Sequence, residues 1–230
     1  MPLPSGQNGQ KRLAAARAVE EVEDGMVVGL GSGSTAELAV EFLAVRVAKG
    51  LCVVGIPTSV KTATLARRLG VPLTSFAEHR RIDIAIDGAD QVARGTLDLV
   101  KGRGGALLHE KIVASASNQL IVVIDETKLV DRLGGDTPLP VEIVSFGWQT
   151  VLDRLAAIGC MPRLRFARDR PFITEGGNYI TDCTIAEIPD PAALEGRLSA
   201  TVGVVETGLF IGMASKIIVG RPAGVEVIET

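Results

Sequence analysis

The chain has 230 residues, 47% of them apolar and 22% charged, with 24 Lys and Arg against 27 Asp and Glu. That length holds one large domain or two small ones, and folding buries about 70% of the extended surface. A net charge of −3 excludes a generally basic nucleic-acid binder, whose affinity comes from cations neutralising phosphates, and the apolar, nearly neutral composition excludes disorder.

Residues 10–23 place Leu13, Ala16, Val19 and Val22 at helical spacing, and Gly25 stops that helix. Met26–Leu30 is a short buried strand, followed by a helix over Ser34–Lys49, a strand over Cys52–Ile56 and a helix over Val60–Leu69. A strand over Ile82–Ile86, a helix over Leu107–Ser115 and a strand over Leu120–Ile124 continue the alternation. Short Val/Ile runs alternating with helices predict βαβ units in a parallel sheet, with right-handed crossovers placing helices on both faces. The rhythm changes at Gly134-Gly135-Asp136-Thr137-Pro138-Leu139-Pro140, where glycine and proline punctuate the chain. Beyond it come a strand over Val141–Val144, a helix over Gly147–Ile158 and a strand over Arg163–Arg168. A hairpin over Phe172–Thr181 with a Gly-Gly-Asn turn and a helix over Pro191–Leu198 follow. The tail, Gly208–Gly220, reads as strand, as does Val225–Ile228.

This order predicts an α/β fold, a Rossmann-like parallel-sheet domain with a smaller ferredoxin-like α+β domain. The expected division is residues 1–135 with 207–230 for the larger domain and 136–206 for the smaller. No apolar run approaches the roughly 18–20 residues of a bilayer span, so no membrane partner is expected. The polar stretch Met1-Pro2-Leu3-Pro4-Ser5-Gly6-Gln7-Asn8 has no signal-peptide apolar segment. Three cysteines, Cys52, Cys160 and Cys183, lack CxxC spacing and fit buried thiols in a reducing cytosol better than a disulfide framework or zinc site. Two histidines are too few for most His-based metal sites, and no metal is expected.

Ligands of an open parallel sheet bind beyond the carboxyl ends of its strands. The segments expected there are Gly31-Ser32-Gly33-Ser34-Thr35, Thr58-Ser59, Asp87-Gly88-Ala89-Asp90 and Asp125-Glu126-Thr127-Lys128, with Lys101-Gly102-Arg103-Gly104-Gly105 opening a helix. Gly31 to Ala36 fits G-x-G-x-x-A, the dinucleotide fingerprint, but the second strand ends in Gly55-Ile56-Pro57-Thr58-Ser59 without the acid that would hold a ribose. The hydroxyls of Ser32, Ser34 and Thr35 at a helix start suit a single phosphate, and a plain Ser/Thr cap is the alternative. Asp87 falls at a strand end with Asp90 one turn on. Glu110, beside Leu107, Ile112 and Val113, is either a partly desolvated general base or a solvated neighbour of Lys111. Lys128 and Lys11 are either anion ligands or surface cations.

With these segments in place, the chain resembles ribose-5-phosphate isomerases of the A type over nearly its whole length. The resemblance rests on the order and spacing of five blocks: Gly29–Ala36, Asp87–Asp90, Lys101–Lys111, Asp125–Val130 and Pro138–Glu142. It implies cofactor-free interconversion of ribose 5-phosphate and ribulose 5-phosphate in the non-oxidative pentose phosphate pathway, by a homodimer or homotetramer. It implies that Glu110 moves the proton between C2 and C1. Asp87, Asp90 and Lys101 then surround the sugar oxygens, with Gly88, Ala89, Gly102, Arg103 and Gly104 in the same two loops. Ser34, Thr35, Lys128 and Lys11 match phosphate contacts, with Ser32 and Gly33 in that loop. Arg103 interrupts the family's usual glycine run, Ser32 stands for a frequent threonine, and His109 stands for a frequent arginine. Two other readings remain open: a sugar-phosphate-sensing domain of a transcription regulator, and a Rossmann oxidoreductase. The Glu110/Asp87/Lys101 set and the missing acid argue against them in turn.

Overall fold

The computed structural model describes residues 6–229, so the first part of the polar N-terminal stretch lies outside the described residues. In chain order the first elements are α1 (Gln7–Val19), β1 (Val27–Leu30), α2 (Ser34–Val47), β2 (Val54–Pro57), α3 (Val60–Arg68) and β3 (Ile82–Asp87). Then come β4 (Gln91–Ala93), β5 (Leu99–Val100), α4 (Leu107–Ser115), β6 (Ser117–Asp125), β7 (Leu129–Val130) and β8 (Leu139–Ile143). The remainder is α5 (Trp148–Ala157), β9 (Met161–Leu164), β10 (Phe166–Ala167), β11 (Arg170–Pro171), β12 (Tyr179–Thr184), α6 (Pro191–Ser199), β13 (Val204–Thr207), β14 (Leu209–Phe210), β15 (Lys216–Arg221) and β16 (Gly224–Glu229). Backbone packing divides the chain into two units. The first holds the residues up to Ala89, His109–Leu129 and those from Met213 onward; the second holds Asp90–Leu108 and Val130–Gly212.

The first unit carries a six-stranded sheet in the order β16-β15-β6-β3-β1-β2. All neighbours pair in parallel except the β15–β16 hairpin. Every residue of β1 is buried, as expected for a strand covered on both faces. The chain starts at β1, steps out to β2, then crosses back to β3 on the other side, so the order reverses between β1 and β3. Such a reversal is where open α/β sheets hold ligands. The core joins Val28, Ile84, Ile121, Val123 and Ile218 of the sheet to Val40 and Leu43 of α2 and Ala14, Ala15 and Ala18 of α1. The buried stripe of α1 is therefore its alanine face, while Leu13 and Ala16 of the predicted stripe are only half-buried. Close approach explains the shift: a Cβ on Gly220 would lie 1.9 Å from the Gln10 carbonyl oxygen, so α1 packs onto bare β15 backbone. The helix also ends at Val19, short of the predicted residue 23.

In the second unit, β8, α5, β9, β12, α6 and β13 form the ferredoxin-like domain, with an antiparallel sheet ordered β13-β8-β12-β9. Leu139, Val141, Ile143, Val151, Leu155, Cys183 and Leu198 fill its core. A second small sheet, β14-β5-β4-β7, lies outside the sequence expectation. Its strands of two or three residues are too short to show a period. That sheet also moves the domain boundary. The sequence reading puts residues 90–108 with the larger domain, yet β4 pairs with β5 and β5 with β14 instead of joining the parallel sheet. The predicted strand Arg163–Arg168 divides at Arg165 into β9 and β10. The predicted strand Gly208–Gly220 divides into β14 and β15 around Gly212, whose φ of 60° belongs to a turn.

Candidate active site

In the first unit, β1 runs out at Leu30 and α2 begins at Ser34. Gly33 is the N-cap, with φ 90° and no side-chain hydrogen bond capping the helix. The structure thus overturns the plain Ser/Thr cap as an alternative, and the first-turn N–H groups of α2 have no side-chain acceptor at the cap. Such a helix start favours an anion. Lys11 reaches the same point from α1, its Nζ donating to Ser34 Oγ at 3.1 Å. Thr35 is buried, while Ser34 and Gly33 are exposed. The Ser32 hydroxyl has a different employment from its neighbours. It joins a cluster with Thr58 Oγ1 at 2.7 Å, Ser59 Oγ at 3.0 Å and Thr62 Oγ1 at 3.3 Å. Thr62 in turn donates to the Gly31 carbonyl at 3.0 Å. Sequence reasoning placed Thr58 and Ser59 at the strand end but missed Thr62, whose position on α3 carries no motif.

Asp87 closes β3 and is only 3% exposed. Its Oδ1 accepts from the N–H of Ser32 at 3.1 Å and of Gly88 at 2.7 Å. Two N–H donors on one oxygen fix the orientation of the carboxylate. Gly88 continues the turn, and a Cβ there would lie 4.0 Å from Thr35 Cβ.

Glu110 sits on α4 and is 5% exposed. Val113 and Ala114 on the same helix are buried, but Ile112 is 45% exposed and so projects away from them. The solvated-surface alternative for Glu110 is excluded by its burial. Lys128 ends a single 3₁₀ turn, Glu126–Lys128, capped by the Asp125 carboxylate, which accepts from Thr127 N at 3.1 Å. Glu126 fixes that turn further, accepting from Gln10 Nε2 at 2.8 Å and from Arg221 Nη1 at 3.2 Å.

In the second unit, Asp90 Oδ2 accepts from the Arg103 N–H at 3.0 Å. Lys101 is 3% exposed, with its N–H donating to the Gly208 carbonyl at 2.8 Å and its ammonium 5.4 Å from the Phe210 ring centre. Gly102 has φ 105°, and a Cβ there would meet Leu107 Cδ2 at 2.8 Å, so only glycine serves. Gly104 and the Arg103 side chain are exposed. A cavity of about 240 Å³ is lined by Asp90, Arg103, Asp136, Arg165 and Asp182. Sequence reasoning gave Arg165 and Asp182 no role, since each stands alone in a strand of mixed polarity.

Among the described residues no group of three or more His, Cys, Asp or Glu side chains is placed to hold a metal ion, and no helix is long and apolar enough to cross a membrane.

The family model for ribose 5-phosphate isomerase A (phosphoriboisomerase A) matches residues 54–224. A protein of Gloeobacter violaceus named ribose-5-phosphate isomerase A is 55% identical over 218 residues, covering 95% of each chain. One of Gluconobacter oxydans with the same name is 52% identical over 222 residues, covering 95% of this chain and 96% of its own. The solved ribose 5-phosphate isomerase A of Methanocaldococcus jannaschii superposes with a TM-score of 0.92 at 40% identity, over 96% of this chain and 98% of that one. A D-ribose-5-phosphate isomerase solved with phospho-erythronic acid gives 0.95 at 37% identity, over 98% of this chain and all of that one. With Gly31 to Ala36 at a helix start, Asp87 at the reversal of the sheet and Glu110 buried on α4, the chain belongs to the ribose 5-phosphate isomerase A family.

Proposed function

We propose that Glu110, Asp87 and Lys101 carry the reaction of this family member, the interconversion of ribose 5-phosphate and ribulose 5-phosphate. The observation that carries the assignment is a glutamate 5% exposed on α4, a carboxylate held out of bulk water as a general base requires. Glu110 removes the proton from C2 of the open-chain aldose. The electron pair moves into the C1–C2 bond and the aldehyde oxygen becomes part of an enediolate. Glu110 then returns a proton to C1 while the O2 hydroxyl proton passes to O1, so C2 becomes the ketone and atoms and charge balance with no oxidant or reductant. Lys101 supplies a cation for the developing oxyanion. Asp87 moves the hydroxyl proton and assists opening of the furanose ring, and Asp90 accepts from a sugar hydroxyl.

The phosphate is assigned to Ser34, Thr35, Lys11 and Lys128, with the backbone of Ser32 and Gly33. Its binding energy holds the reacting carbon in position. Gly88, Ala89, Gly102, Arg103 and Gly104 are assigned to the sugar by their place in the two loops. The ligand of the solved relative supports this reading, because phospho-erythronic acid pairs a phosphate with a carboxylate whose two oxygens resemble those of an enediolate. The three free cysteines support a reducing cytoplasm; Cys160 and Cys183 are buried as the sequence predicts, but Cys52 is exposed. Assembly into a homodimer or homotetramer belongs to the same reading, as the family resemblance implies.

The test is turnover of ribose 5-phosphate by the purified chain without nicotinamide. Ribulose 5-phosphate is the expected product. Binding without turnover would favour the sugar-phosphate-sensing domain, and a requirement for nicotinamide would favour the oxidoreductase.

A further inference from the structure

Arg165 stands between β9 and β10 with its guanidinium divided between two tasks. Its Nε donates to Asp182 Oδ2 at 2.8 Å, and its Nη2 pairs with Asp182 Oδ1. On its other edge Nη1 donates to two successive loop carbonyls, Gly102 and Arg103, each at 3.1 Å. Asp182 is fixed on β12 opposite Arg163, and the Arg165 N–H is tied to the Ile180 carbonyl at 2.8 Å. The fork therefore projects from a rigid sheet onto the Lys101–Gly105 loop. That loop is held at two further points. Asp90 receives the Arg103 N–H at 3.0 Å. Phe172 covers Gly105 so closely that a Cβ there would lie 2.5 Å from its ring, and the Arg165 guanidinium lies 5.8 Å from the same ring's centre.

We infer that Arg165, held by Asp182, is a positioning residue for isomerisation. It fixes the glycine loop that follows Lys101 and so holds the loop's polar groups in the geometry the transition state needs. The physical case rests on what the loop lacks. Gly102 and Gly105 sit at φ 105° and 83°, and Gly104 has nothing within 4 Å of a would-be Cβ. A segment this rich in glycine does not hold one conformation unaided. Two carbonyls taken by one planar donor, itself locked by a bidentate carboxylate, remove that freedom before substrate arrives. Lysine could not replace it, since a single ammonium lacks the fork that serves Asp182 and two carbonyls together. Arg165 and Asp182 are largely buried, with 16% and 25% of their side chains exposed, so removing one leaves the other poorly paired, and exchange confined to the loop is the readout that separates positioning from stability.

The inference rests on the assignment of Lys101 and its loop to the sugar, and the experiment separates the two. Arg165→Ala, Arg165→Lys and Asp182→Asn are compared with the parent and with Lys101→Met. For Arg165→Ala we expect kcat to fall about 10- to 100-fold, KM to change less than about threefold, and amide hydrogen exchange over residues 102–106 to accelerate while the rest of the chain is unchanged. Arg165→Lys should recover less than about a tenth of the lost kcat. Added guanidinium at non-denaturing concentration should restore part of kcat to Arg165→Ala and none to Lys101→Met. Unchanged exchange over the loop, or an unchanged kcat in Arg165→Ala, overturns the inference. If Lys101→Met is also fully active, the fault lies in the assignment of the loop. If Lys101→Met is inactive, the fault lies in the clamp alone.

Discussion

The Asp87 carboxylate occupies the space that a side chain on Gly31 would fill. A Cβ on Gly31 would lie 2.2 Å from Asp87 Oδ1 and 2.7 Å from its Cα. The two residues face each other where β1 and β3 end, and the absence of a side chain on one is the reason the carboxylate of the other can sit against the Ser32 N–H. Glycine at this position is thus required by an acid 56 residues later in the chain, quite apart from any phosphate.

Gly31→Ala tests that relationship. The clash involves backbone as well as the carboxylate, so rotation of Asp87 alone cannot relieve it. Overpacking of this kind costs about 1–3 kcal/mol, and displacing a reacting group by about 1 Å costs on the order of 100-fold in rate. The expected variant folds, unfolds at lower temperature and loses at least about 100-fold in kcat/KM. Parent-like activity would mean that Asp87 need not sit where the structure places it.

Glu110→Gln keeps the shape of the side chain and removes the base. The isomerisation rate should fall by about 100- to 10,000-fold, with binding of ribose 5-phosphate within about threefold of the parent, read by calorimetry. Exchange of the substrate C2 proton with solvent deuterium should stop as well. A folded variant that still turns over at the parental rate removes Glu110 from the mechanism.

The alternation of buried strands and helices made the parallel sheet legible in the sequence, because Val27–Leu30 and Leu120–Ile124 are unbroken apolar runs. Asp87 and the Gly31–Thr35 turn were legible for the same reason, since each follows such a run directly. The missed features are those fixed by pairing distant in sequence. Residues 99–100 and 209–210 form strands because they meet each other, and neither pair has a period of its own. Thr62 and Arg165 were silent because their partners, Gly31 and Gly102, lie 31 and 63 residues away. Glu142, only 1% exposed, stands in the sequence only as part of a family block. Its carboxylate receives Thr174 Oγ1 at 2.8 Å and Asn178 Nδ2 at 2.9 Å, and so anchors the turn at Gly176-Gly177.

Lys128→Ala and Thr35→Ala should act mainly on phosphate binding. A cation and an uncapped helix start attract the same dianion, and each contributes about 0.3–2 kcal/mol at such a position. The measurement is KM for ribose 5-phosphate against the rate with unphosphorylated ribose, which should be a poor substrate for the parent and nearly unaffected by either substitution. If both variants bind ribose 5-phosphate as tightly as the parent, the phosphate lies elsewhere.

Lys216 on β15 donates to Glu21 at 3.0 Å and approaches Glu229 at 3.1 Å. The bond from Lys216 lowers the Glu21 carboxyl below its ordinary range, and the bond from Glu21 raises Lys216. A depressed acid stabilises the fold above its unfolded pKa of about 4.3, and that stabilisation is lost as pH falls through the folded value. A raised lysine stabilises below about pH 10.4 and loses that contribution as pH rises further. Lys216→Met should therefore lower the unfolding temperature at pH 7 and converge with the parent in acid. An equal difference at pH 7 and pH 3 would show that the charge pair is not its cause.

Activity is expected to survive exhaustive chelation. Asp87 and Asp90 are the carboxylates nearest in sequence to a metal-binding pattern, yet the oxygens they would offer are already engaged. Asp87 Oδ1 holds two N–H groups, at 3.1 Å and 2.7 Å, and Asp90 Oδ2 holds the Arg103 N–H at 3.0 Å. A hard cation such as Mg²⁺ needs those lone pairs and further oxygens in near-octahedral array. The N–H donors instead hold each carboxylate in one orientation. Charge on the enediolate then falls to Lys101, whose ammonium needs no metal to act as a cation. The measurement is turnover after dialysis against EDTA, assayed in metal-free buffer. Loss of activity restored by one divalent cation at stoichiometric amount would reassign both aspartates from sugar hydroxyls to metal.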